Sequence, residues 1–222
     1  MNKDIVYTWN RVIHDFEMFL KLEKGLLPNS IDAYLHDVAY LSEYAKANDI
    51  FSDPEVALRQ AVSYANGKIF AAACEKSSLH GMGATLVVAV GNAKKVCIAN
   101  VGDSRAYLIG KDKITQITKD HSYVYELQKN GVITPEEAKT HPRRNEILKA
   151  LGIAPEVYPD IFFLDTEKTD KFLLCTDGLT NHVSDEEILA VVNRYSRKVA
   201  VETLVKLANE YGGSDNITVV LR

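Results

Sequence analysis

Phe172-Leu173-Leu174-Cys175-Thr176-Asp177-Gly178-Leu179 sets the frame for the rest of the chain. Four apolar residues in a row, bounded by a turn signal, predict a strand buried on both faces. The run then ends on a carboxylate and a glycine. An acid held where a buried strand surfaces is costly to leave unpaired, and a cation would satisfy it. Two further aspartates are placed in the same way. Gly212-Gly213-Ser214-Asp215-Asn216 predicts a turn that leads into a strand, Ile217-Thr218-Val219-Val220-Leu221. Val101-Gly102-Asp103-Ser104-Arg105 lies between strands predicted over residues 96–101 and 105–109. Asp103, Asp177 and Asp215 are therefore candidate metal ligands, since oxygen donors on rigid strand ends suit Mg²⁺ or Mn²⁺. Taken singly, each is better read as a turn aspartate bonding its own backbone.

The order of the motifs is more specific than any one of them. Gly81-Met82-Gly83-Ala84-Thr85, Val101-Gly102-Asp103-Ser104-Arg105-Ala106-Tyr107, Thr176-Asp177-Gly178-Leu179 and Gly213-Ser214-Asp215-Asn216-Ile217-Thr218 follow one another along the chain. Together they resemble the serial motifs of bacterial PPM-type (type 2C, metal-dependent) protein serine/threonine phosphatases, from about residue 53 to 222. The resemblance implies an α+β fold: an α-β-β-α sandwich of mostly antiparallel sheets flanked by helices, here incomplete. It implies hydrolysis of phosphoserine and phosphothreonine on cytoplasmic bacterial proteins, with Mn²⁺ or Mg²⁺ as cofactor. By the same resemblance Asp177 and Asp215 match the positions that hold one catalytic metal, and Asp103 a position associated with a weaker third ion.

Composition is compatible with this class. The chain has 222 residues, 46% of them hydrophobic, and a net charge of −4 with both signs interspersed. That length allows one or two domains with a proper core. The charge balance argues against a nucleic-acid binder. Met1–Asn10 is mixed and polar, so nothing there reads as a signal peptide. No apolar run approaches membrane-spanning length. Cys74, Cys97 and Cys175 are unclustered, as expected of free thiols in a reducing cytoplasm.

The first fifty residues read differently. Val12, Ile13, Phe16, Phe19 and Leu20 recur at helical spacing, and Lys24-Gly25 closes that helix. Ile31, Tyr34, Leu35, Val38 and Leu41 stripe a second helix after Pro28-Asn29-Ser30. Residues 1–52 are thus expected to form a helical hairpin, with the phosphatase-like domain over 53–222. Phe19-Leu20-Lys21-Leu22-Glu23-Lys24-Gly25-Leu26, Asn29-Ser30-Ile31-Asp32-Ala33-Tyr34 and Asp37-Val38 resemble the start of the core-binding domain of XerC/XerD-type tyrosine recombinases. The family's catalytic residues are not recognisable here. Residues 1–52 carry five basic and eight acidic side chains. Phosphate contacts dominate DNA affinity, so a hairpin that packs or self-associates is favoured over one that binds DNA.

Within the body, a helix is expected over 54–76, then strands at 85–90, 95–101, 105–109 and 113–117, one hairpin after another. Strands at 161–164 and 171–175 are expected to pair with each other. Ser122 precedes a helix to about Lys129. Thr134-Pro135 opens a short helix, Ser184-Asp185-Glu186-Glu187 is a capping box, and a last helix covers 199–211. His141-Pro142-Arg143-Arg144 fits the recombinase H-x-x-R pattern, but its surroundings resemble the phosphatase flap. His141 and Arg144 are candidate phosphate or flap contacts, because guanidinium groups match phosphate oxygens. A solvated basic loop accounts for them equally well. His121 and His182 are expected only to pack.

Two N-terminal motifs of the phosphatase family are not found in this sequence. One carries a phosphate-binding arginine, the other an Asp-Gly-Met-Gly-Gly run whose aspartate bridges two metals. His80-Gly81-Met82-Gly83 has no leading aspartate. The departure predicts a weaker metal site and an exposed sheet edge open to self-association. It sets a second reading beside the phosphatase: a catalytically inactive pseudophosphatase acting as a binding module. A DNA-associated module carried by the hairpin is the third.

Overall fold

A computed structural model describes residues 53–91, 95–165 and 171–222. The expected hairpin and its recombinase-like motifs lie outside these residues. The first described helix, α1 (Pro54–Glu75), starts where Asp53-Pro54 predicts. Leu58 and Val62 on its inner face pack against Cys97, Ala99 and Val101. Asn66, buried on the same helix, donates to the carbonyls of Ala154 and Pro155 (3.0 and 3.1 Å) and accepts from the Gly152 amide (2.8 Å). A buried amide satisfied in this way fixes the helix against the 152–155 segment.

Two antiparallel sheets follow. The first has the order β1 (Leu86–Gly91), β2 (Lys95–Val101), β5 (Asp160–Asp165). The second runs β4 (Ile114–Gln116), β3 (Arg105–Ile109), β6 (Lys171–Cys175), β7 (Val219–Leu221). Side chains alternate across each strand. Cys97, Ala99 and Val101 face α1, while Val96 and Ile98 meet Ala106, Phe172 and Leu174 between the sheets. On the outer face of the second sheet, Tyr107, Ile109, Leu173 and Cys175 pack with Ile188 and Val192 of α5 (Asp185–Arg194) and Leu204 and Ala208 of α6 (Arg197–Glu210). The layers are therefore helix, sheet, sheet, helix. The double-faced burial expected for 172–175 is observed, because β6 sits centrally between β3 and β7.

Local chemistry sets several boundaries. The Ser184–Glu187 capping box is formed, with the Ser184 hydroxyl accepting from the Glu187 amide. α2 (Tyr123–Lys129) is capped by Ser122, and α3 (Pro135–Thr140) by Thr134 with a second capping box to Glu137. No helix among the described residues is long and apolar enough to cross a membrane. Cys97 and Cys175 are buried and Cys74 is exposed. Burial pushes the Cys175 thiol up to about 12, so it stays protonated at neutral pH.

Two expected pairings are corrected. The strands at 95–101 and 105–109 do not form a hairpin: β2 pairs with β1 and β5, β3 with β4 and β6. Gly102, at φ +106°, turns the chain out of one sheet and into the other. A Cβ there would lie 2.5 Å from Thr85 Cγ2, so only glycine fits this crossing. The strands at 160–165 and 171–175 also belong to different sheets. β6 is apolar on both faces and takes a central place, whereas β5 is an edge strand whose Phe163 is exposed. The last strand is shorter than expected, because the Thr218 amide donates to Thr176 Oγ1 (3.0 Å) instead of extending a regular ladder.

Candidate functional site

The topology brings the three aspartates to one end of the second sheet. Arg105 is paired with Cys175, and Cys175 with Val219. Asp103, Asp177 and Asp215 lie just beyond these paired ends, in three adjoining loops. Asp177 opens a single helical turn, α4 (Asp177–Thr180), and its Oδ2 accepts from Asn181 Nδ2 at 3.2 Å. Asp103 sits in the crossing between the sheets. Burial, and then the charge of Asp177, push the Asp103 carboxyl up to about 6. The two carboxylates therefore repel each other in a partly desolvated place.

Asp215 sits on the neighbouring loop and is exposed. Its Oδ1 accepts from the Asn216 amide at 2.7 Å, the local backbone bond that a turn aspartate makes. The loop is tied to the Asp177 turn at two points. Thr176 Oγ1 donates to the Asn216 carbonyl (3.2 Å), and His182 Nε2 lies 2.9 Å from Ser214 Oγ. Gly178 completes the approach, since a Cβ there would collide with the Asn216 carbonyl oxygen. Gly178→Ala is expected to push the two loops apart and destabilise the fold by about 1–3 kcal/mol, as overpacking does. Chemical denaturation of the variant checks this, and an unchanged midpoint would contradict it.

Among the described residues, no three His, Cys, Asp or Glu side chains gather closely enough to hold a metal ion. Asp103 and Asp177 are two carboxylates close enough for the charge of one to act on the other, and Mg²⁺ is commonly bound through one or two carboxylates. Mutual repulsion of the pair is what such an ion relieves.

Two polar clusters support this end of the sheet, and neither was expected from sequence. Arg105 grips Asp120 through Nε to both carboxylate oxygens (3.0 and 3.0 Å) and Nη2 to Oδ2 (2.6 Å). Its Nη1 reaches the Tyr107 hydroxyl at 3.2 Å, and Gln116 Nε2 donates to Asp120 Oδ1 at 3.0 Å. Burial works against the Arg105 charge, but the bonds to Asp120 outweigh it and hold its pKa raised. The second cluster is centred on His121. Its Nδ1 accepts from the Gly102 amide at 2.9 Å, and its Nε2 lies 3.3 Å from Asp160 Oδ2. Lys149 Nζ donates to the other Asp160 oxygen at 3.1 Å. Burial, then the Lys149 charge, lowers the His121 pKa. The expectation that His121 and His182 merely pack is corrected, since both bridge loops at the site. The sequence signal for the first cluster was Thr118-Lys119-Asp120-His121 following an apolar strand, but nothing local in it names the partners.

His141 and Arg144 lie elsewhere, in the excursion 123–146. A Ser122–Ile147 bridge and the Tyr123 amide to Glu146 carbonyl bond (2.9 Å) close its base. His141 ends α3, and its Nδ1 accepts from the Arg143 amide at 3.1 Å. Arg144 is exposed. Its neighbour Arg143 lies 3.7 Å over the Tyr123 ring and pairs with Glu146 at 2.6 Å.

Comparison with known proteins agrees with the layered helix and antiparallel sheet fold. The family model for protein phosphatase 2C matches residues 34–221. The serine/threonine phosphatase stp of Listeria welshimeri is 43% identical over 168 residues, 75% of this chain and 67% of that protein. A crystal structure of a bacterial serine phosphatase superposes with a TM-score of 0.73 at 42% identity, covering 75% of this chain and 68% of that one. The catalytic domain of the serine/threonine protein phosphatase PstP, in complex with two manganese ions, superposes with a TM-score of 0.69 at 35% identity, covering 81% and 78%. With 188 of its residues spanned by the family model and its strand-end aspartates in order, this chain belongs to the protein phosphatase 2C (PPM) family.

Proposed function

We propose that this chain is a metal-dependent phosphoserine/phosphothreonine protein phosphatase acting on cytoplasmic phosphoproteins. The observation that carries it is the meeting of the strand ends next to Asp103, Asp177 and Asp215 through the Arg105–Cys175 and Cys175–Val219 pairings, with the charge of Asp177 acting on Asp103. Asp103 and Asp177 would hold one Mn²⁺ or Mg²⁺, and Asp215 stands on the adjoining loop. A bound ion offsets charge on phosphate oxygens and activates water for attack on phosphorus. His141 and Arg144 serve the excursion 123–146 as phosphate contacts, Arg144 by its exposed guanidinium. The manganese-bound PstP neighbour supports the choice of metal.

One observation favours a second reading, a binding module without turnover. The described residues gather no group of three metal-ligating side chains. In that reading β1 and β5, the edge strands of the first sheet among the described residues, serve self-association. The test is hydrolysis of a phosphothreonine peptide by the purified chain with Mn²⁺ and with a chelator. Turnover that requires Mn²⁺ supports the phosphatase. Peptide binding without turnover supports the module.

The raised Asp103 group gives this reading a pH dependence. A proton competes with the metal below the folded pKa. The gain in melting temperature on adding Mn²⁺ should be full at about pH 7.5, fall as pH drops through about 6, and be small near pH 5. A gain independent of pH would remove Asp103 from the ligand set.

A further inference from the structure

We propose that His121 is a positioning residue that sets the direction of Asp103 by gripping Gly102, with its ring on the amide and its backbone N–H on the carbonyl. The inference rests on the metal-dependent reading above and adds to it a residue that touches neither metal nor phosphate.

Gly102 is held at both of its polar groups. Its N–H donates to His121 Nδ1 at 2.9 Å, and its carbonyl accepts from the His121 backbone N–H at 3.0 Å. Asn100 Nδ2 adds a second, longer bond to the same carbonyl at 3.3 Å and another to the Lys119 carbonyl at 3.2 Å. The Gly102 carbonyl belongs to the peptide that carries the Asp103 amide, so holding it fixes the plane from which Asp103 departs. Gly102 has φ +106° and lies against Thr85, which leaves the turn little room to relax.

The imidazole is itself held from behind. Nδ1 accepts, so in the neutral ring Nε2 carries the proton, 3.3 Å from Asp160 Oδ2. Asp160 is paired in register with Asn100 across β2 and β5, and Lys149 holds its other oxygen. The ring is therefore a strut between the end of the first sheet and the Asp103 turn. The His121 carbonyl accepts from the Leu148 amide at 2.7 Å, which ties the strut to the base of the 123–146 excursion.

Asn100 shows that this arrangement is not there for stability alone. It is fully buried near the end of β2, after the apolar run Val96–Ala99, and its Oδ1 has no hydrogen-bond partner among the described residues. An unsatisfied buried acceptor costs free energy. Polar groups retained at such a cost are characteristic of sites where geometry matters more than packing.

Two variants separate positioning from packing. Asn at 121 places its Oδ1 near the position of Nδ1 and can still accept from Gly102. Gln at 121 reaches Asp160 but offers Gly102 no acceptor there. Mn²⁺ affinity, read by calorimetry or by electron paramagnetic resonance, should stay within about threefold of the wild type in His121→Asn and weaken about 10–100-fold in His121→Gln. Exchange of the Gly102 amide in the metal-free chain should accelerate about tenfold in His121→Gln and little in His121→Asn. Equal Mn²⁺ affinity in both variants, or losses that follow their melting temperatures, would overturn the inference. If the wild-type chain does not bind Mn²⁺, the metal-dependent reading fails. An unaltered Gly102 exchange rate in His121→Gln would overturn the strut on its own.

Discussion

Asp177→Asn should lower Mn²⁺-dependent turnover by about 10²–10³-fold and at the same time make the metal-free protein more stable at neutral pH. The loss follows from what a metal contributes to phosphoryl transfer, several kcal/mol, and from the tenfold in rate carried by each 1.4 kcal/mol. The gain follows from linkage. The folded pKa of Asp103 is about 6, above its ordinary value of 3.8. A raised carboxyl penalises the fold progressively as pH rises from about 4 to about 6, and the penalty is then constant above that window. Burial causes the larger part and the Asp177 charge the next, so the neutral amide removes the second part only. Asn also keeps an oxygen for the Asn181 side chain, which preserves the local turn. The melting temperature of metal-free Asp177→Asn should therefore exceed that of the wild type at about pH 7.5 and converge with it near pH 4. A variant that loses turnover and also melts lower at pH 7.5 would show that Asp177 is structural.

The strand ends and the helix starts were legible because their causes are local. Phe172-Leu173-Leu174-Cys175 is apolar at every position, and only a strand covered on both faces satisfies it. Ser184 and Glu187 cap each other within one turn. The pairings were not legible. β2 and β3 are both apolar, both short and only three residues apart, so a hairpin is the simplest reading. What decides otherwise is Gly102, whose positive φ and contact with Thr85 send the chain to the other sheet. The three aspartates could be recognised by their serial order, but their meeting depends on Arg105–Cys175 and Cys175–Val219 pairings that no periodicity specifies. His121 was passed over for the same reason. Its partners, Gly102 and Asp160, stand 19 and 39 positions away, and only the folded chain puts them on either side of one ring.

Arg105→Met should cost about 3 kcal/mol, the lower end of the range for removing one partner from a buried ion pair, because the Arg105 side chain is 28% exposed. Asp120 is 8% exposed, and three bonds from Arg105 together with Gln116 hold its carboxylate. Methionine fills much of the volume of the arginine stem but leaves that carboxylate charged and short of donors. Arg105→Lys keeps the charge but not the fork that reaches both oxygens, and should fall between the two. The double variant Arg105→Met with Asp120→Leu removes the stranded charge and should recover a large part of the loss, because well-packed apolar replacements of buried pairs are often neutral. Urea denaturation at neutral pH measures all of this. If the single and double variants lose the same amount, the contribution of Arg105 lies in its packing and not in its charge. If the double variant recovers stability but Mn²⁺ affinity stays low, the pair also serves the Asp103 turn, two residues before Arg105 on the same strand end.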